Sequence, residues 1–294
     1  MPLVERRIRR KIRAVRNIQH ITKAMRMVAA ARLRRLQQRV ASGRAYADKM
    51  DEVVHRVASA AGDVTHPLLD VRPLHRACVV LIGADQGLCG SYNVSINRRG
   101  KELIDELVGN GTACVVVTVG RKARAFLRHR GIVPDYHFSQ ITAKSDVSEP
   151  LAISRQIRSL YTEPRVDQVQ VVYSRFVSTL RHVPTVADLL PVRRMARRGE
   201  GTAAGPTEYI FEPAPERLFA ALLPRYVDTR IYHLLLEAAA SEQAARMTAM
   251  ASATDNAEEL IKHLTLQRNR ARQEAITSEL MDVVGGAEAL KEPK

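Results

Sequence analysis

The stretch of this sequence most suggestive of chemistry is GADQGLCGSYN, residues 83–93, set directly after the apolar run ACVVLI. Glycines following a strand can free backbone N–H groups to cradle a phosphate. Here neither GxGxxG nor GxxxxGK(S/T) is present, and no acidic residue closes a second strand at dinucleotide spacing. A tight turn and a close approach of helix to sheet are the simpler use of these glycines. Asp85 is the best lone candidate for acid–base work, and it could instead cap the following turn. In VGRKA, residues 119–123, Arg121 and Lys122 at a helix start could hold an anion or face solvent. Cys78, Cys89 and Cys114 make an odd count without CxxC spacing, which argues against a disulfide framework and a zinc site; they read as reduced packing residues. No HExxH cluster, paired carboxylates, nucleophile elbow or Ser/His/Asp order rises above chance. The chain is expected not to be an enzyme by itself and to use neither cofactor nor metal.

What must position these residues is a small α/β segment between two long helical stretches. Residues 77–82 and 113–119 are continuous β-branched apolar runs, as in buried parallel strands, and helical periodicity follows each, over 94–107 and 121–130. A third strand–helix step is expected over 136–161 and a further strand over 169–180, giving a sheet with right-handed crossovers. Residues 3–56 and 228–290 read as helices of 50 or more residues, roughly 80–90 Å each at 1.5 Å per residue. Such rods must project beyond a small core and meet something else.

In the first, Ile8, Ile12, Val15, Ile18, Ile21, Met25 and Val28 recur at three- and four-residue steps, and Thr22, Ala29, Leu33, Leu36 and Val40 form a neighbouring stripe. The shift between stripes is expected of a helix not locked into a strict heptad. In the last, Ala238, Ala245, Ala249, Ser252, Ala253 and Asn256 form a small-residue seam. Larger residues follow, Leu260, Ile261, Leu264, Ile276, Leu280 and Val283, before Gly285 and Gly286 stop or loosen the helix. The fold class predicted is mixed α and β: a long antiparallel α-helical coiled coil formed by both termini, with a central Rossmann-like α/β domain. The expected divisions are a shaft helix over 1–62, the α/β domain over 73–190, a basic and Gly-rich mobile loop over 191–207, and a C-terminal segment with its shaft helix over 208–290.

Charge narrows the partners. The 294 residues carry 46 Lys and Arg against 31 Asp and Glu, a net +15, and residues 1–47 hold 14 basic residues against Glu5 alone. Such a field attracts nucleic acid, anionic lipid or an acidic protein surface, or is simply a solvated face. No zinc finger, RNA-binding aromatic motif or compact helix-turn-helix accompanies it, so nucleic acid carries less weight than the charge alone suggests. A basic coiled-coil nucleic-acid-binding protein is the alternative function, and a structural adaptor with an α/β head the third. No apolar run reaches the roughly 18 residues of a membrane span. The N-terminus lacks the apolar core of a secretory signal, so cytosolic residence is expected.

Three passages carry a resemblance. IRAVRNIQHITKAMRMVAAARLRR, residues 12–35, resembles the N-terminal signature of the gamma subunit of F-type rotary ATP synthases. EQAARMTAMASATDNAEELI, residues 242–261, followed by LTLQRNRARQEAITSELMDVVGGAEAL, residues 264–290, resembles the C-terminal signature. DQGLCGSYN stands where that family has a DRGLCG-type loop. The resemblance implies a central rotor shaft inside a hexamer of three alpha and three beta subunits, with epsilon and the membrane-embedded ring of c subunits met at the foot and globular domain. It implies coupling of proton or sodium-ion flow to ATP synthesis or hydrolysis at beta, no nucleic-acid partner, and a peripheral position on the cytoplasmic side of a bacterial plasma membrane. It points to Lys23, Met25 and Arg246 as a lower contact with beta, and to Arg272, Gln273, Thr277 and Glu279 as positions facing the catch region of beta. Arg26 stands where many relatives carry Glu, Arg32 and Leu33 replace a common Lys-Met pair, and Gln86 replaces the usual Arg. No cysteine-bearing insertion of the chloroplast kind is present, so thiol control is not expected.

Overall fold

The computed structural model describes residues 3–60, 66–139, 148–192 and 215–289. In chain order the elements are α1 (Leu3–Ala60), β1 (Arg76–Ile82), α2 (Tyr92–Gly109), β2 (Ala113–Val119), α3 (Arg121–Arg128), β3 (Tyr136–Phe138), α4 (Ser148–Thr162), β4 (Gln168–Phe176), β5 (His182–Leu190) and α5 (Pro215–Ala289). The basic and Gly-rich loop expected over 191–207 falls, from residue 193 onward, outside the described residues.

The chain forms two compact units. Residues 1–29 and 247–294 make the first, and residues 30–246 the second. The early part of α1 thus shares a unit with the late part of α5, and the later part of α1 with the earlier part of α5. That order makes the two helices an antiparallel coiled coil.

In the second unit a five-stranded sheet runs in the order β3-β2-β1-β4-β5. Its first four strands are parallel, and β5 returns antiparallel to β4. Six of the seven residues of β1 are buried, as a central strand covered on both faces requires. One face packs Cys78, Val80, Ile82, Val169 and Val171 against Ile153, Ile157 and Leu160 of α4 and Phe219, Leu223, Val227 and Ile231 of α5. The other packs Ala77, Val79 and Leu81 against Ile96, Leu103 and Ile104 of α2 and Leu127 of α3. Helix α5 contributes to both: Ala238 belongs to the first cluster and Ala245 to the second.

Three features depart from the sequence reading. The strand expected over 169–180 ends at Phe176, in a hairpin turn where Ser178 Oγ accepts from the N–H groups of Leu180 and Arg181, and β5 follows. Pro184 sits within β5, which is tolerable because β5 is an edge strand. Helix α5 begins at Pro215 rather than near Asp228, and it runs through Pro224. An internal proline costs about 3 kcal/mol, but Phe219, Leu223 and Val227 beside it are buried, at about 1.5–3 kcal/mol each. The same helix continues through Gly285 and Gly286 to Ala289.

In the first unit the α1 seam passes through Glu5, Ile8, Ile12, Val15, Gln19, Thr22, Met25 and Ala29, all buried or half-buried, while Ile18, Ile21 and Val28 are exposed. Apart from Met25, these positions follow alternating three- and four-residue steps, so the seam is closer to a regular heptad than the apolar stripes suggested. The α5 side presents Met250, Ala257 and Leu264 as buried residues. Thr22 Oγ1 and Thr254 Oγ1 meet at 2.8 Å across the pair. Each hydroxyl also lies within reach of a carbonyl of its own helix, Thr22 of Gln19 at 3.1 Å and Thr254 of Met250 at 2.7 Å, so either can be the donor across the pair. A polar bridge of this kind pins register where an all-apolar seam could slide.

Candidate functional site

The loop after β1 is built as a staple. Asn93, in the first turn of α2, accepts from Ala84 N–H through Oδ1 at 3.0 Å and directs Nδ2 toward Cys89 Sγ at 3.1 Å. Asp85 accepts from the backbone N–H of Arg121 at 3.0 Å, so it caps the start of α3 rather than its own turn. Gly120 explains the close approach: its φ is +93°, and a Cβ there would lie 2.4 Å from the Gly83 carbonyl oxygen. Burial pushes the Cys89 thiol up from its ordinary value. The Cys89 side chain is 2% exposed, a packing environment rather than a reactive one.

Helix α5 grips this loop. Arg246, 6% exposed, pairs with Glu242 at 2.7 Å and donates to the Gly87 carbonyl at 3.2 Å. Burial raises the Glu242 pKa, against the opposing pull of the Arg246 charge. Tyr92 Oη donates to the Ala238 carbonyl at 3.1 Å, and Ser241 Oγ donates to the Ser174 carbonyl at the end of β4 at 3.0 Å. Burial also carries the Tyr92 hydroxyl well above its usual pKa, so it stays a donor. Sequence reading named Arg246 but missed Glu242, Ser241 and Tyr92. The available signal was the polar run SEQ at 241–243 inside an alanine-rich helix, where all three residues are buried.

The remaining contact candidates lie in the first unit. Lys23 is exposed and Met25 half-buried on α1. Arg272, Gln273, Thr277 and Glu279 are exposed within one short stretch of α5, and Thr277 Oγ1 donates to the Gln273 carbonyl at 2.9 Å, an intrahelical bond. From residue 276 to 287 every residue of α5 is exposed, including Ile276, Leu280, Val283 and Val284. Among the described residues no His, Cys, Asp and Glu group could hold a metal ion, and no helix is long and apolar enough to cross a membrane.

Within the second unit α5 is clamped against the α/β sheet, and within the first the helix pair carries the Thr22–Thr254 bridge. The sequence profile of the family described as ATP synthase matches residues 5–290. The ATP synthase gamma chain of Desulfitobacterium hafniense is 44% identical over 286 residues, covering 97% of this chain and 99% of that one. That of Heliobacterium modesticaldum is 46% identical over 293 residues, covering 97% and 98%. Among solved structures, a chain of the central stalk and c-ring of the Tetrahymena thermophila mitochondrial ATP synthase matches with a TM-score of 0.59 and 27% identity, over 79% of this chain and 99% of that chain. A chain of the Euglena gracilis mitochondrial ATP synthase gives a TM-score of 0.68 at 17% identity, over 99% and 97%, a likeness of fold. This chain therefore belongs to the ATP synthase gamma-chain family.

Proposed function

We propose that this chain works as the central rotor stalk of a bacterial F-type ATP synthase, and that its contacts with beta fall into two sets. As the gamma subunit it couples transmembrane proton or sodium-ion flow to ATP synthesis or hydrolysis at the beta subunits, and is itself non-catalytic. Its partners are the hexamer of three alpha and three beta subunits, epsilon and the membrane c-ring, and it sits peripherally on the cytoplasmic side of the plasma membrane. The observation that carries the role is the antiparallel pairing of α1 with α5, a helix of 75 residues. A rod that turns inside a sleeve needs such stiffness and asymmetry.

One set of beta contacts is Lys23, Met25 and Arg246; the other is Arg272, Gln273, Thr277 and Glu279. Exposure supports this reading for Lys23, Arg272, Gln273, Thr277 and Glu279. Arg246 acts differently, since its guanidinium is engaged by Glu242 and Gly87; its share in the contact runs through the loop it holds. The test is the Arg272→Ala/Gln273→Ala variant in the assembled complex. The proposal expects normal subunit composition with fewer ions pumped per ATP hydrolysed. Full ATP-driven pumping and synthesis would reject the second set.

A further inference from the structure

In an open parallel α/β sheet, ligands bind outside the carboxyl ends of the strands, at the point where strand order reverses. Here that point lies between β1 and β4, because the chain leaves β1 for β2 on one side and returns to β4 on the other. No small molecule is needed to fill it: α5 crosses there. Ser241 Oγ is bonded to the carbonyl of Ser174 in β4, Tyr92 at the start of α2 reaches the carbonyl of Ala238, and Arg246 holds Gly87 in the loop after β1. Ala238, Ala239, Ala240, Ala244 and Ala245 are all buried, so the small seam lets the helix sink into the crevice.

We infer that α5 is torsionally keyed to the head by the bonds of Tyr92 to Ala238, Ser241 to Ser174 and Arg246 to Gly87, so that a twist applied at the head passes into the shaft without slip. The geometry is that of a key rather than a hinge. At about 100° per residue, positions 241 and 246 project about 140° apart around the α5 axis, and each is tied to a different element of the head. The hydrophobic driving force is itself non-directional, and the small alanine seam offers few interlocking side chains to fix the rotation of α5 at this crossing. Directional hydrogen bonds on two sides oppose it. Ser241 and Tyr92 are 0% and 1% exposed, so water does not compete for these bonds.

The inference rests on the rotor role, and its test separates the two. With the alpha–beta hexamer fixed to a surface and a bead coupled at Val108→Cys, an exposed position on α2, the angular variance of the bead during ATP-free pauses reports torsional stiffness. Tyr92→Phe/Ser241→Ala is expected to raise that variance above wild type, with ATP hydrolysis per complex unchanged. Tyr92→Phe alone, which deletes one oxygen atom, carries the same test if the double variant does not assemble; its variance should rise as well. Wild-type variance in a variant whose bead still turns overturns the key and leaves the rotor role standing. A wild-type complex that hydrolyses ATP with a motionless bead overturns both.

Discussion

Replacing Glu242 by Ala probes the clamp at its costliest point. The Glu242 and Arg246 side chains are 5% and 7% exposed and lie 2.7 Å apart, so water cannot take over the orphaned guanidinium. An exposed pair at this distance would contribute about 0–1 kcal/mol. Breaking a buried one by removing a single partner costs about 3–5 kcal/mol, because a charge is left uncompensated. Arg246 keeps its bond to the Gly87 carbonyl, which places the expected loss near the lower end, about 3 kcal/mol. With a urea dependence of about 3 kcal/mol per molar, this lowers the unfolding midpoint of the purified chain by about 1 M. Circular dichroism would follow the transition. Glu242→Met/Arg246→Met, which removes both charges, should recover most of the loss. A shift in Glu242→Ala below about 0.3 M, or a double variant no better than the single, would show that the buried pair does not hold the clamp.

Three other outcomes are expected. Gly120→Ala should destabilise the second unit by at least about 2 kcal/mol in the same unfolding assay, since its φ of +93° and the Gly83 carbonyl oxygen 2.4 Å from the new Cβ leave no room to relax. The Glu242 pKa is raised in the folded chain, so protonation favours the fold: its contribution is present in full below the unfolded value and is lost as pH rises through the folded one. Wild type should therefore gain stability relative to Glu242→Gln as pH falls from 7 toward the ordinary carboxylate range of about 4–4.5, and a flat difference would contradict the shift. Arg272→Ala/Gln273→Ala should leave the unfolding midpoint of the chain nearly unchanged, because both side chains are exposed; a large loss would show that they hold the helix pair together.

Helical periodicity made both long helices and their pairing readable from sequence, because burial of a stripe over many turns repeats its signal. The detail of the seam was less readable. Gln19 and Thr22 take seam positions while Ile18 and Ile21 face outward, and hydrophobicity alone ranks those residues the other way. The strand β5 was hidden by Pro184 and by its half-buried edge position, which gives no run of apolar residues. The first turns of α5 were hidden by Pro224, whose local cost is outweighed by long-range burial of Phe219 and Leu223 that no local pattern reveals. At the functional site the loop glycines were legible as turn formers. The Gly87 partner of Arg246 was not, because it lies 159 residues away and is used through its backbone oxygen. The contact residues on α1 and the end of α5 came from resemblance alone, since exposed polar residues leave no periodic trace.

As the rotor, this chain turns while beta does the chemistry. A bead on Val108→Cys, watched while surface-fixed complexes of this chain with alpha and beta hydrolyse ATP, reports this motion. Stepwise, unidirectional rotation whose rate follows hydrolysis is the expected result. Undiminished hydrolysis with a stationary bead, in complexes shown to contain the full-length chain, would contradict it.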